Sequence, residues 1–173
     1  GIELIKSYRK QFNRRWISLM PTNMYGPFDN FDLETSHVLP AFINRFVSAT
    51  KNMAQFVTVW GSGKPRREFL HCDDFAKATL MAAEKYDAPE HLNVGTGEDV
   101  TIAELAETVA STAGFNGEIR WDSSKPDGTP RKVLDVTNIK KVGWVPEIPL
   151  KEGIASTIEW FKENEKTLVK RER

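Results

Sequence analysis

Three features of the sequence predict an α/β or mixed α and β fold. Short apolar runs alternate with segments of helical periodicity. Gly and Pro punctuate most of the junctions. The length, 173 residues with 40% hydrophobic and 28% charged side chains, is that of one ordinary domain. No strong shift in composition divides the chain, so residues 1–173 read as one unit.

The elements follow in order. Ile2, Ile5, Tyr8 and Phe12 lie near helical spacing and predict an opening helix. Gly1-Ile2-Glu3 offers no initiator Met and no side-chain cap, so it reads as the middle of a helix. The expectation is a chain that begins inside a larger protein. Residues 15–21 form a short apolar run ended by Pro21, a buried-strand pattern, and residues 23–30 read as loop around Gly26-Pro27. Val38, Leu39, Phe42, Ile43, Phe46 and Val47 then repeat at three and four residues, an amphipathic helix. Ser36 is its expected cap, and Pro40 is tolerated in its first turn.

Residues 56–61 are β-branched and aromatic and run into Gly61-Ser62-Gly63, a strand and a turn. Residues 67–71 predict a second short strand, after which Asp73 or Asp74 is expected to cap an Ala-rich helix reaching about Tyr86. Leu92–Val94 is a brief strand before Gly95-Thr96-Gly97. Thr101-Ile102-Ala103-Glu104 is a capping box, because Glu104 stands where it bonds back to the cap. Ile102, Leu105, Ala106, Val109 and Ala113 make one apolar face behind it, and Gly114 ends the helix. Glu118–Asp122 is a strand, and residues 123–132 are a polar turn around Pro126-Asp127-Gly128. Leu150, Ile154, Ile158 and Phe161 give a last helix, with residues 166–173 expected as a solvated charged tail.

Charge and composition exclude several function classes. Lys plus Arg and Asp plus Glu are 24 each, which argues against a nucleic-acid binder with its basic surplus. No apolar run approaches the roughly 20 residues of a membrane helix. Cys72 stands alone, which rules out an internal disulfide and a cysteine-built zinc site and suits a reducing compartment. With no signal-peptide pattern at the start, a cytoplasmic location is expected. There is no Gly-x-Gly-x-x-Gly, no Walker loop and no His-Glu-x-x-His. His37, His71 and His91 are far apart, and no metal-ligand cluster is expected.

Several segments carry a family likeness. They are Pro21-Thr22-Asn23-Met24-Tyr25-Gly26-Pro27, Asp29-Asn30-Phe31, Ser36-His37-Val38-Leu39-Pro40, Val59-Trp60-Gly61-Ser62-Gly63, Arg67-Glu68-Phe69-Leu70-His71, Asn93-Val94-Gly95-Thr96-Gly97 and residues 125–132, Lys-Pro-Asp-Gly-Thr-Pro-Arg-Lys. In order and spacing they resemble the C-terminal half of the GDP-L-fucose synthases, NADP-dependent epimerase/reductases of the extended short-chain dehydrogenase/reductase superfamily. The Phe-Leu-His-x-Asp-Asp piece, residues 69–74, and the Asn-Val-Gly-x-Gly piece are shared among nucleotide-sugar epimerases. The Ser-His-Val-x-Pro piece and residues 125–132 are more specific. The resemblance implies the end of a Rossmann-type fold: the last strands of its parallel sheet and most of a smaller substrate-binding domain. The family's glycine-rich half, its catalytic Ser and Cys and its Tyr-x-x-x-Lys pair would lie upstream.

It also implies chemistry and residues. The substrate would be GDP-4-keto-6-deoxy-mannose, epimerised at C3 and C5 and reduced at C4 with NADPH. His37 matches the family's catalytic histidine, an acid working with the upstream Cys; a side chain that ionises near neutrality suits proton transfer. On residue type alone His37 reads as an ordinary surface histidine, and only the Ser-His-Val-x-Pro context favours catalysis. Arg45 and Arg67 match positions that contact the nucleotide sugar, and planar guanidinium donors suit a diphosphate; the plain alternative is a surface Arg. Trp60 matches a substrate contact, its rival being a core Trp on a strand. Asp127 matches a substrate-binding carboxylate or is simply the turn former of Pro-Asp-Gly. Pro21, Thr22, Asn23, Met24 and His37 match the loop beside the nicotinamide. Cys72 is expected as a small buried apolar group, and His71 and His91 as structural.

The chain alone is therefore expected to be catalytically incomplete, with doubtful cofactor binding. The alternatives are an epimerase or dehydratase acting on a UDP- or dTDP-sugar, and a non-catalytic nucleotide-sugar binding module. Strands deprived of partners would leave an open edge, so a homodimer or self-association is expected through that edge or the opening helix.

Overall fold

In the computed structural model, residues 1–168 are described. The opening helix α1 (Ile2–Phe12) is present, as the spacing predicted, but buries none of its residues. Its place on the molecule comes from Arg9 and Arg15, which both bind Asp87, at 2.6 and 2.7 Å.

The 15–21 run delivers a strand only at its end, β1 (Leu19–Pro21). β2 (Asn23–Tyr25) follows within the stretch expected as loop, too short to leave a periodic signal. Helix α2 (Val38–Lys51) takes His37 as its N-cap, with no side-chain capping bond, while the hydroxyl of Ser36 is buried without a partner. Ser36 is therefore not the cap. β3 (Phe56–Trp60) is as expected, whereas the 67–71 run divides at Glu68 into β4 (Arg66–Arg67) and β5 (Phe69–His71). Helix α3 (Cys72–Lys85) is capped by His71, whose Nδ1 accepts the Asp73 N–H at 3.3 Å, in place of the expected Asp73 or Asp74. Asp74 is buried instead, with Oδ2 accepting the main-chain N–H groups of Glu147 and Ile148.

β6 (Leu92–Val94), β7 (Val100–Thr101) and α4 (Ile102–Ala113) come next. The capping box is complete: Thr101 Oγ1 accepts the Glu104 N–H at 3.0 Å, and Glu104 accepts the Thr101 N–H at 2.7 Å. Thr101→Ala is expected to lower stability by about 1 kcal/mol, read as an earlier urea midpoint at unchanged slope. β8 (Glu118–Asp122), β9 (Arg131–Lys132), α5 (Thr137–Val142) and α6 (Leu150–Leu168) complete the chain. β9 and α5 were not foreseen. α6 carries Lys166 in helix, and the rest of the expected charged tail, 169–173, lies outside the described residues.

Three two-stranded sheets are parallel pairs: β1 with β6, β2 with β5 and β3 with β8. Parallel neighbours need crossovers, which the intervening helices supply. β4 lies between antiparallel β7 and parallel β9. Two cores result. In the larger, Leu39, Ile43 and Phe46 of α2 meet Val57 and Val59 of β3, Leu105 and Val109 of α4, and Ile154 and Ile158 of α6. In the smaller, Leu70, Leu92, Val94, Ala78, Ile139 and Trp144 pack around β5 and β6. Among the described residues β1 pairs with β6 alone, and no helix is long and apolar enough to cross a membrane.

Candidate functional site

A cleft of about 330 Å³ opens where α2 and β2 begin and β3 and β4 end. Asn23, Met24, His37, Trp60, Arg67 and Asp127 line it, with Gly61, Gly63, Pro126 and Gly128 at its turns. Two residues 30 positions apart, the imidazole of His37 and the guanidinium of Arg67, therefore share one cavity. His37 reaches it because an N-cap residue is extended: φ is −70° and ψ 165°, its carbonyl accepts the Ala41 N–H, and its ring makes no capping bond.

A second cleft of about 420 Å³ adjoins, lined by Thr22–Asp29, His37 and Cys72. Asn23, Met24 and His37 belong to both. His37 thus stands where the two cavities meet. Burial pushes the Asp29 carboxyl up from its ordinary value, partly offset by the Asn30 N–H and by His37.

Trp60 is not a core residue. β3 alternates outward and inward, and Trp60 falls outward at 64% exposure. Arg45 and Lys125 carry positive charge near its ring, 5.9 and 5.5 Å from the centroid. Arg45 itself does not line the cleft. Its Nη1 donates to the Thr58 carbonyl at 3.0 Å, so it reaches the site only through Trp60. Arg67 is half-buried, with Nη1 donating to the Arg66 carbonyl at 2.7 Å and Nη2 close to Gly128.

Asp127 does line the cleft, yet Ser62 engages both its oxygens: Oδ1 accepts the Ser62 N–H at 2.9 Å and Oδ2 the hydroxyl at 2.6 Å. Those two bonds, the hydroxyl first, hold its carboxyl below the usual range. Asp127 thus ties its loop to Ser62 across the cleft, and residues 126–129 form no turn of their own. Gly61 answers to it from the other side: φ is +86°, and a Cβ there would lie 2.7 Å from Asp127 Oδ1.

On the loop after β1, Thr22 and Asn23 are tied down. Thr22 Oγ1 donates to the Glu68 carbonyl at 3.2 Å and Asn23 Nδ2 to the same oxygen at 2.8 Å. Pro21 pairs with Val94 inside the β1–β6 ladder and lines neither cleft. Cys72 departs from expectation. It is half-buried on the wall of the second cleft, where burial and then the neighbouring Asp73 charge push its thiol up and keep it protonated. His71, Cys72 and Asp73 bring donor atoms within 4.8 Å of one another, a grouping the sequence did not suggest. Within it His71 Nδ1 accepts the Asp73 N–H, while Nε2 is buried without a partner.

Arg67 is aimed by the small sheet that carries it. Asp99 binds Arg131 and, at 2.6 Å, Arg66, fastening β9 and β4 together. The Arg131 and Arg66 hydrogen bonds hold the Asp99 carboxyl below its ordinary value. Its contribution to stability is therefore complete above about pH 4 and is lost as acid titrates it below that. Urea midpoints of the native chain and of Asp99→Asn are expected to differ at pH 7 and to draw together as the pH falls below about 4.

The sequence did not single out Phe28, Asp29 or Cys72 as lining a cleft, although Asp29 stands in the Asp29-Asn30-Phe31 motif. It also missed Glu68, whose signal was a carboxylate set inside an apolar strand run.

The family profile "NAD dependent epimerase/dehydratase family" matches residues 1–95. A protein named probable GDP-L-fucose synthase 1, from Oryza sativa subsp. japonica, is 54% identical over 164 residues, 95% of this chain and 50% of that protein. GDP-L-fucose synthase of Escherichia coli (strain K12) is 51% identical over 95% of this chain and 54% of its own length. The crystal structure of a GDP-L-fucose synthetase from Naegleria fowleri bound to NADP matches with a TM-score of 0.89 at 30% identity, covering 96% of this chain and 54% of that one. The chain spans about half the length of the curated relatives it matches. With its parallel strand pairs, its loop–helix site and a profile match over more than half its residues, the chain belongs to the NAD dependent epimerase/dehydratase family.

Proposed function

We propose that this chain is the substrate-binding portion, over residues 1–173, of an NADP-dependent GDP-4-keto-6-deoxy-mannose 3,5-epimerase/4-reductase that makes GDP-L-fucose. One observation carries the reading: His37 and Arg67 open into the same cleft, beside an outward-facing Trp60. Arg67 offers planar, charged donors to the diphosphate. Trp60 offers an aromatic face to guanine or sugar, and Arg45 and Lys125 add positive charge around it. The 4-keto group acidifies the hydrogens on C3 and C5. His37, at the junction of the clefts, delivers or removes a proton there. Asp127 acts by holding the 125–128 loop to Ser62, which places the far wall of the cleft.

The second cleft fits the nicotinamide end of NADP. It is formed largely from the loop of residues 22–29, and the one hydrogen bond of the Asn23 amide uses Nδ2, leaving Oδ1 to accept from a carboxamide. Thr22, Asn23 and Met24 would hold that end, and bound NADPH supplies the hydride for C4. Pro21 supports the loop from the ladder behind it.

GDP is preferred over UDP or dTDP because the two curated relatives reported above are named for GDP-L-fucose. Calorimetry of the chain against GDP, UDP and dTDP tests this, with GDP expected to bind tightest. Joining the chain to the upstream half of a relative is expected to give NADPH oxidation with the keto-sugar. Nucleotide-sugar binding without turnover in that joined protein would favour the non-catalytic module.

Self-association belongs to the same proposal. Along α1 and just beyond, Leu4, Phe12 and Trp16 are 60, 50 and 47% exposed, and β1 has an open edge. Apolar surface of this kind pairs. Light scattering is expected to report dimers or larger species, and Leu4→Glu to shift them towards monomer.

A further inference from the structure

Glu68 stands between two residues of the cleft, Arg67 and Phe69, yet its own side chain is 0% exposed. No Lys, Arg or His pairs with it among the described residues, although burying a carboxylate without a counter-ion is costly. Hydrogen bonds from two distant segments take that place. Oε1 accepts the Gly97 N–H at 2.7 Å and the Thr96 hydroxyl at 3.3 Å, and Oε2 accepts the Leu134 N–H at 2.8 Å. The Glu68 main-chain carbonyl accepts Asn23 Nδ2 and Thr22 Oγ1. Gly95 is bare where any Cβ would collide with Oε1. An apolar side chain would fill this space with less desolvation, but it would hold none of these groups.

We propose that Glu68 is a positioning residue that fixes the two walls of the cleft to each other. Its carbonyl holds the nicotinamide-side loop. Its carboxylate holds Leu134, at the end of the stretch that starts at Asp127. Its neighbour Arg67 lies between them. The ligand side of this inference rests on the nucleotide-sugar reading above. The mechanical side does not.

Glu68→Gln keeps the shape and replaces one acceptor with an NH₂ group. If the amide oxygen stays on Gly97 and Thr96, that NH₂ faces the Leu134 N–H, donor against donor, and the 131–134 stretch is released. Three measurements on the full 173-residue chain test the proposal: melting temperature, GDP affinity by calorimetry, and amide hydrogen exchange by segment. The expected result is GDP binding at least about tenfold weaker, with protection lost together at 22–25 and 131–134. Arg67→Ala added to Glu68→Gln should weaken binding by less than Arg67→Ala alone, since both act through one guanidinium. A lower melting temperature with GDP affinity and both segments unchanged would overturn the proposal and leave Glu68 a packing residue. If the native chain binds no GDP, the nucleotide reading fails, and exchange at the two segments decides this inference alone. If Glu68→Gln does not fold, Thr96→Ala, which removes the 3.3 Å bond to Glu68 along with the local Thr96–Glu98 bonds, should show the same joint loss at smaller amplitude; no change at either segment would overturn it.

Discussion

Replacing His37 by Asn should lower turnover of the 4-keto sugar about 10²–10⁴-fold in the joined, full-length protein, the usual contribution of a positioned acid or base. Affinity of the 173-residue chain for GDP should change by less than about twofold, because the loss is confined to the transition state. The split follows from placement. The His37 ring makes no capping bond, and the residue is exposed, so its replacement should disturb the fold little. It lies at the meeting of the two clefts, where the proposed function puts the sugar's reacting carbons. Stopped-flow absorbance of NADPH together with calorimetry reads both halves. Equal losses in turnover and in GDP affinity would move His37 from chemistry to binding.

Arg67→Ala should do the reverse. Deleting a charged donor from an anion costs about 2–3 kcal/mol, or about 30–150-fold in GDP affinity. Its one internal hydrogen bond goes to the neighbouring Arg66 carbonyl, so the melting temperature should move little. Arg67→Lys should recover only part of the affinity, since a point charge cannot reproduce the planar fork. Arg45→Ala should cost much less. Its guanidinium is committed to Thr58 and reaches the ligand only by way of Trp60.

The architecture was legible where one rule dominated locally. The α2, α4 and α6 stripes came from helical spacing, and the Thr101–Glu104 box from residue type and offset alone. Among elements of two or three residues, Leu92–Val94 was legible, but β2, β7 and β9 were not. β2 and β9 exist because β5 and β4 lie alongside them, a tertiary cause that leaves no periodicity. Caps failed for a similar reason. Asp74 resembles a cap by type, but it is drawn inward to the Glu147 and Ile148 amides, and His71 takes the terminus. At the site, the motif-carried residues His37, Trp60, Arg67 and Asp127 converge on one cleft, and Arg45 stops one layer short. The partner of Arg45, Thr58 on the neighbouring strand, left no signal in the sequence. The Ser62 grip on Asp127 was hidden because the two residues are 65 positions apart.

The most direct test of the shared cavity is a crystal structure of the chain with GDP-mannose, an analogue lacking the reactive ketone. The diphosphate should lie within hydrogen-bond distance of the Arg67 guanidinium, with guanine or sugar against Trp60 and the hexose turned towards the His37 ring. GDP-mannose bound elsewhere, or bound in the cleft with its hexose pointing away from His37, would contradict the account.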